Sequence, residues 1–527
     1  MRRTLFDIPL ALFVMAAGLG VWVAYDRAPA WTKFVVILAG IALYYALVFL
    51  PRKLRWRKGE IDTTRLIFAL APAVIFTYFL LTADLSYRLG KIPALDPLMR
   101  LAMLVQPRAG LPEMNTNTLG GLMAALLPLQ FHALFSRRPS RRALWLGGAL
   151  ILLSLFALLL SASRAGWLSL AVVALFWLLR RLFGRGAARA FAASLAFVAI
   201  LAGAWLLFSN RIVETVASER APVWAGGFQL ATDYPFTGLG LANFTMPFSS
   251  YTWLIHVPYL THAHNLYLDL WLETGLLGVF AFGMAVVIAF RASLSGWRAA
   301  CLAAVGTMLL HGALDDPLFA YGLPGQLFMW LPFVAMAREA DTRYLPARVP
   351  LVVAGAALVV VALVIALVSP AQAAWQANLG ALAQTRIELN DYSNAKWGIQ
   401  DSLRRSGTID LAPAIQHYRQ ALALDPANAT ANRRLGQIEL AVGNYDAAAE
   451  HLRVAYVTTP GFRASRQLLG EARAIKGDID GAVDLWRSID AAQGQLQQRL
   501  DWYGYLKDEP RAARIAAVLQ RLQPADH

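Results

Sequence analysis

The residues best placed to do chemistry gather at one boundary between a polar loop and a long apolar run. His262 and His264 close the loop, and Asn265-Leu-Tyr-Leu-Asp-Leu-Trp-Leu-Glu-Thr-Gly-Leu-Leu-Gly278 follows at once. Ionisable groups at a membrane boundary are costly, so several clustered there make a functional site the default reading. An imidazole in the first turn of a helix meets the positive end of the helix dipole, which disfavours imidazolium and leaves a neutral group able to take a proton. Arg164, in the short turn Ser161 to Gly166, and Arg220, in the stretch before the histidines, carry planar donor forks that grip phosphate bidentately. Plainer roles stay open: Arg164 reaching lipid headgroups, Arg220 solvated, His264 satisfied at the interface and His262 exposed in its loop. Asp269 and Glu273 lie one turn apart and share a helix face, which the spacing turns away from His264. They read first as interior polar pairing.

What positions these groups is a membrane. The 527 residues are 58% hydrophobic and 15% charged, against roughly 25% charged in an average soluble domain; mean hydropathy is +0.48. A net charge of +15 would suit nucleic acid in a soluble chain. Here the basic residues crowd short connectors between apolar runs, so positive-inside topology explains them and no nucleic-acid partner is expected. Cys301 is the single cysteine, which rules out an intramolecular disulfide.

About 20 apolar residues span a bilayer as a helix, and on that ruler eleven spans are expected. They run Leu5 to Tyr25, Trp31 to Leu50, Leu66 to Thr82, Leu119 to Phe135, Ala143 to Ala162 and Gly166 to Leu182. Phe191 to Phe208, Leu266 to Phe290, Ala299 to Leu314, Gly322 to Ala337 and Val349 to Val368 complete the set. With the amino terminus inside, the basic connectors around Arg52, Arg137, Arg180, Arg291 and Arg338 all fall on the cytoplasmic side. The loop 209–264 and everything after residue 369 then lie outside. Leu98 to Val105, between Pro97 and Pro107, is too short to span and reads as an interfacial or re-entrant helix.

Beyond Val368 the sequence turns to amphipathic helices with a 34-residue period: Leu435-Gly436 recurs as Leu469-Gly470, Gly443 as Gly477, and Ala414 as Ala448 and Ala482. That is the tetratricopeptide pattern, with small residues where helices must approach closely. The expected domains are 1–369 in the membrane, a helical linker 370–410, and an extracytoplasmic repeat module 411–527. About two to three repeats fit between Leu411 and Ile489, and three is near the minimum for independent stability, so the module is expected to lean on the membrane domain or on a protein partner. No P-loop, His-Glu-x-x-His or dinucleotide-binding turn occurs. Asp315-Asp316 comes closest to an acidic metal site and lacks further carboxylates at ligand spacing, so neither metal nor cofactor is expected.

Ser163-Arg164-Ala-Gly-Trp167, then Arg220-Ala-Pro-Val-Trp224 leading to Asp233-Tyr-Pro-Phe-Thr-Gly-Leu-Gly-Leu-Ala-Asn-Phe244, then His264 to Gly275, resemble the motifs of the bacterial O-antigen ligase and O-antigen polymerase superfamily. The resemblance is strongest from about Leu119 to Leu331, where His311-Gly-Ala-Leu-Asp315 is also similar. It implies an all-α, GT-C-like polytopic glycosyltransferase of the bacterial cytoplasmic membrane, acting at the outer face. Such an enzyme moves a glycan from an undecaprenyl-pyrophosphate carrier to an acceptor hydroxyl with inversion, using no nucleotide sugar or metal. Carried onto this sequence, Arg164 and Arg220 would hold the pyrophosphate and His264 would orient or deprotonate the acceptor. His262, Asp269, Glu273, His311 and Asp315 follow as secondary candidates. Ligases, polymerases and protein O-oligosaccharyltransferases share these motifs, so a lipid, glycan or protein acceptor stays open, and the appended repeats add a protein partner to the choices. A transporter using the arginines as a headgroup site, or a membrane-anchored scaffold, is the reading from another class.

Overall fold

A computed structural model of the chain describes residues 4–56, 59–86, 93–105, 110–136, 140–183, 212–255, 257, 259–291, 296–316, 318–319 and 323–339, scattered positions between 352 and 367, and 368–390, 398–489 and 491–522. It is an all-α polytopic protein that carries, among the described residues, one small hairpin. Helices α1 (Asp7–Val23) and α2 (Arg27–Phe49) lead into antiparallel β1 (Lys53–Trp56) and β2 (Gly59–Asp62), in the basic connector. Then come α3 (Thr63–Thr82), α4 (Asp96–Val105), α5 (Thr116–Phe135), α6 (Arg141–Leu160), α7 (Arg164–Phe183) and α8 (Ile212–Asp233). After the one-turn α9 (Thr245–Phe248) and a π-helical turn, Ser249–Trp253, follow α10 (Leu266–Phe290), α11 (Trp297–Leu314), α12 (Leu323–Phe328) and α13 (Leu331–Glu339).

Among the described residues seven helices are long and apolar enough to cross a membrane, namely α2, α3, α5, α6, α7, α10 and α11, while α1 is a shorter apolar helix. These coincide with eight of the expected spans. The seventh, 191–208, and most of the eleventh, 349–368, lie outside the described residues. The tenth is corrected: Gly322 to Ala337 is not one helix but α12 and α13, separated by a turn at Met329 and Trp330. Pro332 is the reason, since it has no amide hydrogen for the carbonyl four residues earlier and its ring would collide with that carbonyl.

The helices begin where side chains satisfy their free amides: Asp62 caps α3, Asn115 caps α5 and Ser140 caps α6. Helix α5 is the axis of the bundle, buried along most of its length among α3, α6, α7 and α11, and α1 lies along α10. Helix α6 instead exposes Trp145, Leu146 and Leu152, a face suited to lipid. Helix α4 buries Met99 and presents Leu101 and Leu104 outward, as a helix lying along an apolar surface would. Arg338, a topological charge in the sequence, is buried at one end of the bundle and donates to the carbonyls of Leu47 and Leu50, the open C-terminal end of α2.

The opposite end carries everything that follows. Here α10 breaks at Gly275 (φ 62°, ψ −168°). The break lets the Phe236–Leu239 segment bond into the helix, Leu239 N to Leu272 O at 2.7 Å and Leu276 N to Phe236 O at 3.3 Å. A Cβ on Gly275 would stand 2.2 Å from Phe236 O, and its positive φ disfavours any side chain. The long helix read from the sequence is therefore two shorter rods with the Phe236–Leu239 segment inserted at the joint.

The carboxyl-terminal region stacks helical hairpins on the same end. Helix α14 (Ser369–Leu389), within the segment expected to be a linker, packs on α16 (Ala412–Leu424), with α15 (Gly398–Ser406) between them in sequence. Then come α17 (Ala429–Val442) with α18 (Tyr445–Thr458), α19 (Arg463–Lys476) with α20 (Ile479–Trp486), and α21 (Ala492–Tyr505) with α22 (Glu509–Leu522). The periodic residues do what their sizes suggest. Ala414, Ala448 and Ala482 are fully buried, and a Cβ on Gly436 would lie 2.8 Å from Leu452, one on Gly470 2.3 Å from Trp486.

Candidate functional site

Four chain segments meet at this end around one buried carboxylate. Asp315 follows α11 directly and is 3% exposed. It accepts from Asn117 Nδ2 at the start of α5 (2.7 Å), from His264 Nδ1 (3.1 Å), from Arg220 Nη2 (3.3 Å) and from the amide of Asp316 (3.0 Å). His262 Nε2 stands 4.0 Å away, and the two imidazoles face each other with ring centres 4.1 Å apart. Arg220 also donates to the carbonyl of Leu314, closing the end of α11.

The loop bearing the histidines is held from several sides. His264 has φ 53°, a left-handed conformation that is uncommon outside glycine though enriched for Asn, Asp and His. Its carbonyl accepts from Trp224 Nε1 of α8 at 3.1 Å. Asn265 caps α10 through the amides of Tyr267 and Leu268 and reaches Ala313 O with its Nδ2. Asp269 turns back from α10 to accept from the amides of Ala263 (2.7 Å) and Asn265 (3.4 Å), the two residues that flank His264. This corrects the reading of Asp269 as pointing elsewhere. Its carboxylate grips the backbone on either side of His264, a loop contact that helical spacing alone does not report. Glu273 does go into interior pairing. It takes Lys33 Nζ of α2 at 2.6 Å, both side chains buried, and the amide of Ala242 at 3.0 Å.

His311 is one turn before Asp315, buried, with Nε2 3.3 Å from Ser163 Oγ. Ser163 immediately precedes α7, so this contact ties α11 to the turn that displays Arg164, whose side chain is exposed as the first residue of α7. Arg164, Arg220, His262, His264, His311 and Asp315 thus occupy one end of the bundle, and Asp269 lies directly beneath the loop. Sequence reasoning missed Asn117 and Lys33, gave Trp224 no role beyond its motif, and underrated Asp315. Trp224 carried a signal: it is four residues from Arg220, hence on the same face of one helix.

Electrostatics separates the groups. Burial would raise the Asp315 carboxyl, but the imidazoles of His264 and His262 and the charge of Arg220 outweigh it and hold Asp315 well below the usual carboxylate range. Burial lowers His262, only partly opposed by Asp315, so it is neutral at neutral pH. Burial pushes Asp316 up to about 6. A charged Asp315 accepting from His264 Nδ1 fixes the tautomer and leaves Nε2 as a proton acceptor, the arrangement by which a carboxylate orients a histidine base. His262, His264 and Asp315 also place one ligand atom each within 4.8 Å of one another, a spacing that a divalent cation can use. The guanidinium of Arg220 already lies on the Asp315 carboxylate and opposes a second cation there.

Residues 149–283 match the O-antigen ligase family. That stretch includes Arg164, Arg220, His262, His264, Asp269 and Glu273 and ends before His311 and Asp315. The chain is also similar to a tetratricopeptide repeat-containing protein of Pseudomonas aeruginosa, 32% identical over 101 residues, which is 19% of this chain and 96% of that protein. With its apolar helices, its motifs on one end of the bundle and its stacked hairpins, the chain is a multi-pass inner-membrane protein that carries an O-antigen ligase family domain of the glycan-transfer kind at residues 149–283, joined to hairpins similar to a tetratricopeptide-repeat protein.

Proposed function

We propose that the protein transfers a glycan from an undecaprenyl-pyrophosphate carrier to an acceptor hydroxyl at the outer face of the inner membrane, as a ligase-type enzyme working with inversion and without a metal. The observation that carries this reading is the His264–Asp315–Arg220 cluster: an oriented imidazole beside a guanidinium, both partly open, with side chains 28% and 26% exposed above a carboxylate that is 5% exposed. The acceptor oxygen attacks the anomeric carbon as the bond from that carbon to the pyrophosphate oxygen breaks. Nε2 of His264 takes the hydroxyl proton, and the pyrophosphate leaves with its charge matched by Arg220 and Arg164. Fixed cationic donors help most where charge develops, and one base is enough for a single displacement.

In this reading residues 1–369 form the transferase domain, the loop 209–264 roofs its outer side, and 411–527, joined through 370–410, stand outside the membrane. Polymerases and protein O-oligosaccharyltransferases differ from ligases in the acceptor, so the test offers all three. The purified protein in liposomes receives an undecaprenyl-pyrophosphate glycan together with a lipid A core acceptor, a second glycan or an acceptor protein. Transfer to the lipid acceptor, lost in His264→Ala and Arg220→Ala, is the expected result. Transfer that survives both substitutions sinks the site assignment; passage of the lipid-linked glycan across the bilayer without bond exchange supports a transporter instead.

A further inference from the structure

Helical-repeat modules bind their partners through faces of their stacked helices, and here one face of α17 meets the chain's own segment 233–254. Thr430, Arg433, Gln437 and Leu440 recur along one face of α17. Thr430 Oγ1 and Arg433 reach Asp233 Oδ1, the first at 2.9 Å, and Arg434 takes Oδ2 with Nε at 3.1 Å and Nη2 at 2.8 Å. Arg433 also donates to Tyr251 O (3.0 Å), Gln437 to Ser250 O (3.2 Å), and the Arg434 guanidinium lies 3.5 Å above the Tyr251 ring. Leu254, at the end of the π-helical turn, is buried in the core of the repeats with Leu440 and Leu468. Tyr251 OH completes the grip on Glu388 of α14 at 2.8 Å.

We propose that the repeat module is an internal clamp on the catalytic loop, with Arg433 and Arg434 as positioning residues for the transfer reaction. This rests on the glycan-transfer reading above. Asp233 is the last residue of the helix that carries Arg220, thirteen residues and roughly 20 Å away at helical rise. The same helix holds the His264 carbonyl through Trp224. Gripping Asp233 and the Ser249–Leu254 segment therefore fixes both ends of the assembly that sets Arg220 and His264. Further along the loop, Val257, Leu260 and Ala263 share a core with Ala381 and Leu382 of α14, which extends the grip to the residue before His264. This face of the repeats is thereby covered in cis.

The test uses the full chain in lipid nanodiscs and removes the buried charges together, as Asp233→Asn/Arg433→Gln/Arg434→Gln, so that no unpaired charge is left behind. Amide hydrogen exchange over residues 257–265 should quicken about tenfold or more, the signature of a loop released from tertiary contact. The kcat should fall about tenfold or more while KM for the lipid-linked donor stays within about threefold, because misplacement of a reacting group costs rate. Wild-type exchange and kcat in the triple variant overturn the clamp. Gln437→Ala, which leaves the charges intact, gives a second reading if the triple variant does not fold: faster exchange at 257–265 supports the clamp and an unchanged rate overturns it. Exchange is read without any glycan. If His264→Ala leaves transfer intact the catalytic reading fails, and the exchange result still judges the clamp.

Discussion

Asp315 and Asp233 are both buried carboxylates gripped by arginine, and they differ in what their partners can still reach. Around Asp233 the partners are sealed, with Arg433 2% and Arg434 0% exposed. Around Asp315 the carboxylate is covered, but Arg220 is 26% and His264 28% exposed. The cations beside Asp233 have no face left for a ligand, so that cluster can only hold parts together. Those beside Asp315 are anchored at one edge and open at the other, which is what binding an anion and accepting a proton require. The lesson is that a paired carboxylate is not by itself a site; the exposure of its partners decides.

Loss of the open cluster should show in turnover. His264→Ala is expected to lower the rate of glycan transfer by 10²-fold or more, the usual worth of a general base, with the unfolding midpoint close to wild type. Asp315→Asn should approach the same loss, because the amide cannot hold the tautomer as a carboxylate does. A fully active Asp315→Asn enzyme would remove the distinction between the open and the sealed cluster.

Loss of the sealed cluster should show first in stability. Asp233→Ala strands two buried guanidiniums and is expected to cost about 3–5 kcal/mol, the usual price of breaking a buried ion pair, read by thermal or denaturant unfolding in detergent. Asp315→Ala should cost clearly less, since Arg220 and His264 can turn to water.

The next effect is on acid lability. The folded-state value of His262 lies below its unfolded value of about 6.5, so the unfolded chain takes the proton first. Its contribution is complete above that pH and is lost as pH falls toward the lower folded value. Asp315, also lowered on folding, contributes above about pH 3.9 and loses its contribution as pH falls through its folded value. Stability should decline in two windows on acidification, and His262→Gln should flatten the upper one. The smallest effect belongs to surface pairs: Lys476→Ala, which breaks an exposed bridge to Asp446, should leave the unfolding midpoint within experimental scatter.

Much of this was legible along the chain. Apolar length located the helices, and the 34-residue period marked the hairpins, because both properties are local to one element and its neighbours. Motif order brought Arg164, Arg220 and His264 forward. The division of α12 from α13 was written in Pro332 and outweighed by the apolar run around it. Asp315 read as a failed metal site because spacing in sequence gives no hint that Asn117, Arg220 and His264 converge on it from three other segments.

By itself, then, the sequence determined the lipid-facing helices, the repeat hairpins and the residue types at the site, all consequences of hydrophobic period and side-chain size. Only the tertiary structure decided that Asp315 organises the cluster, that Asp269 braces the backbone around His264, and that the repeats grip the loop between Asp233 and Leu254. The first and last of these join residues distant along the chain, and the second closes a loop back onto its own helix; each follows from the need of a buried charge for a partner, and which partner lies within reach is set only when the chain packs.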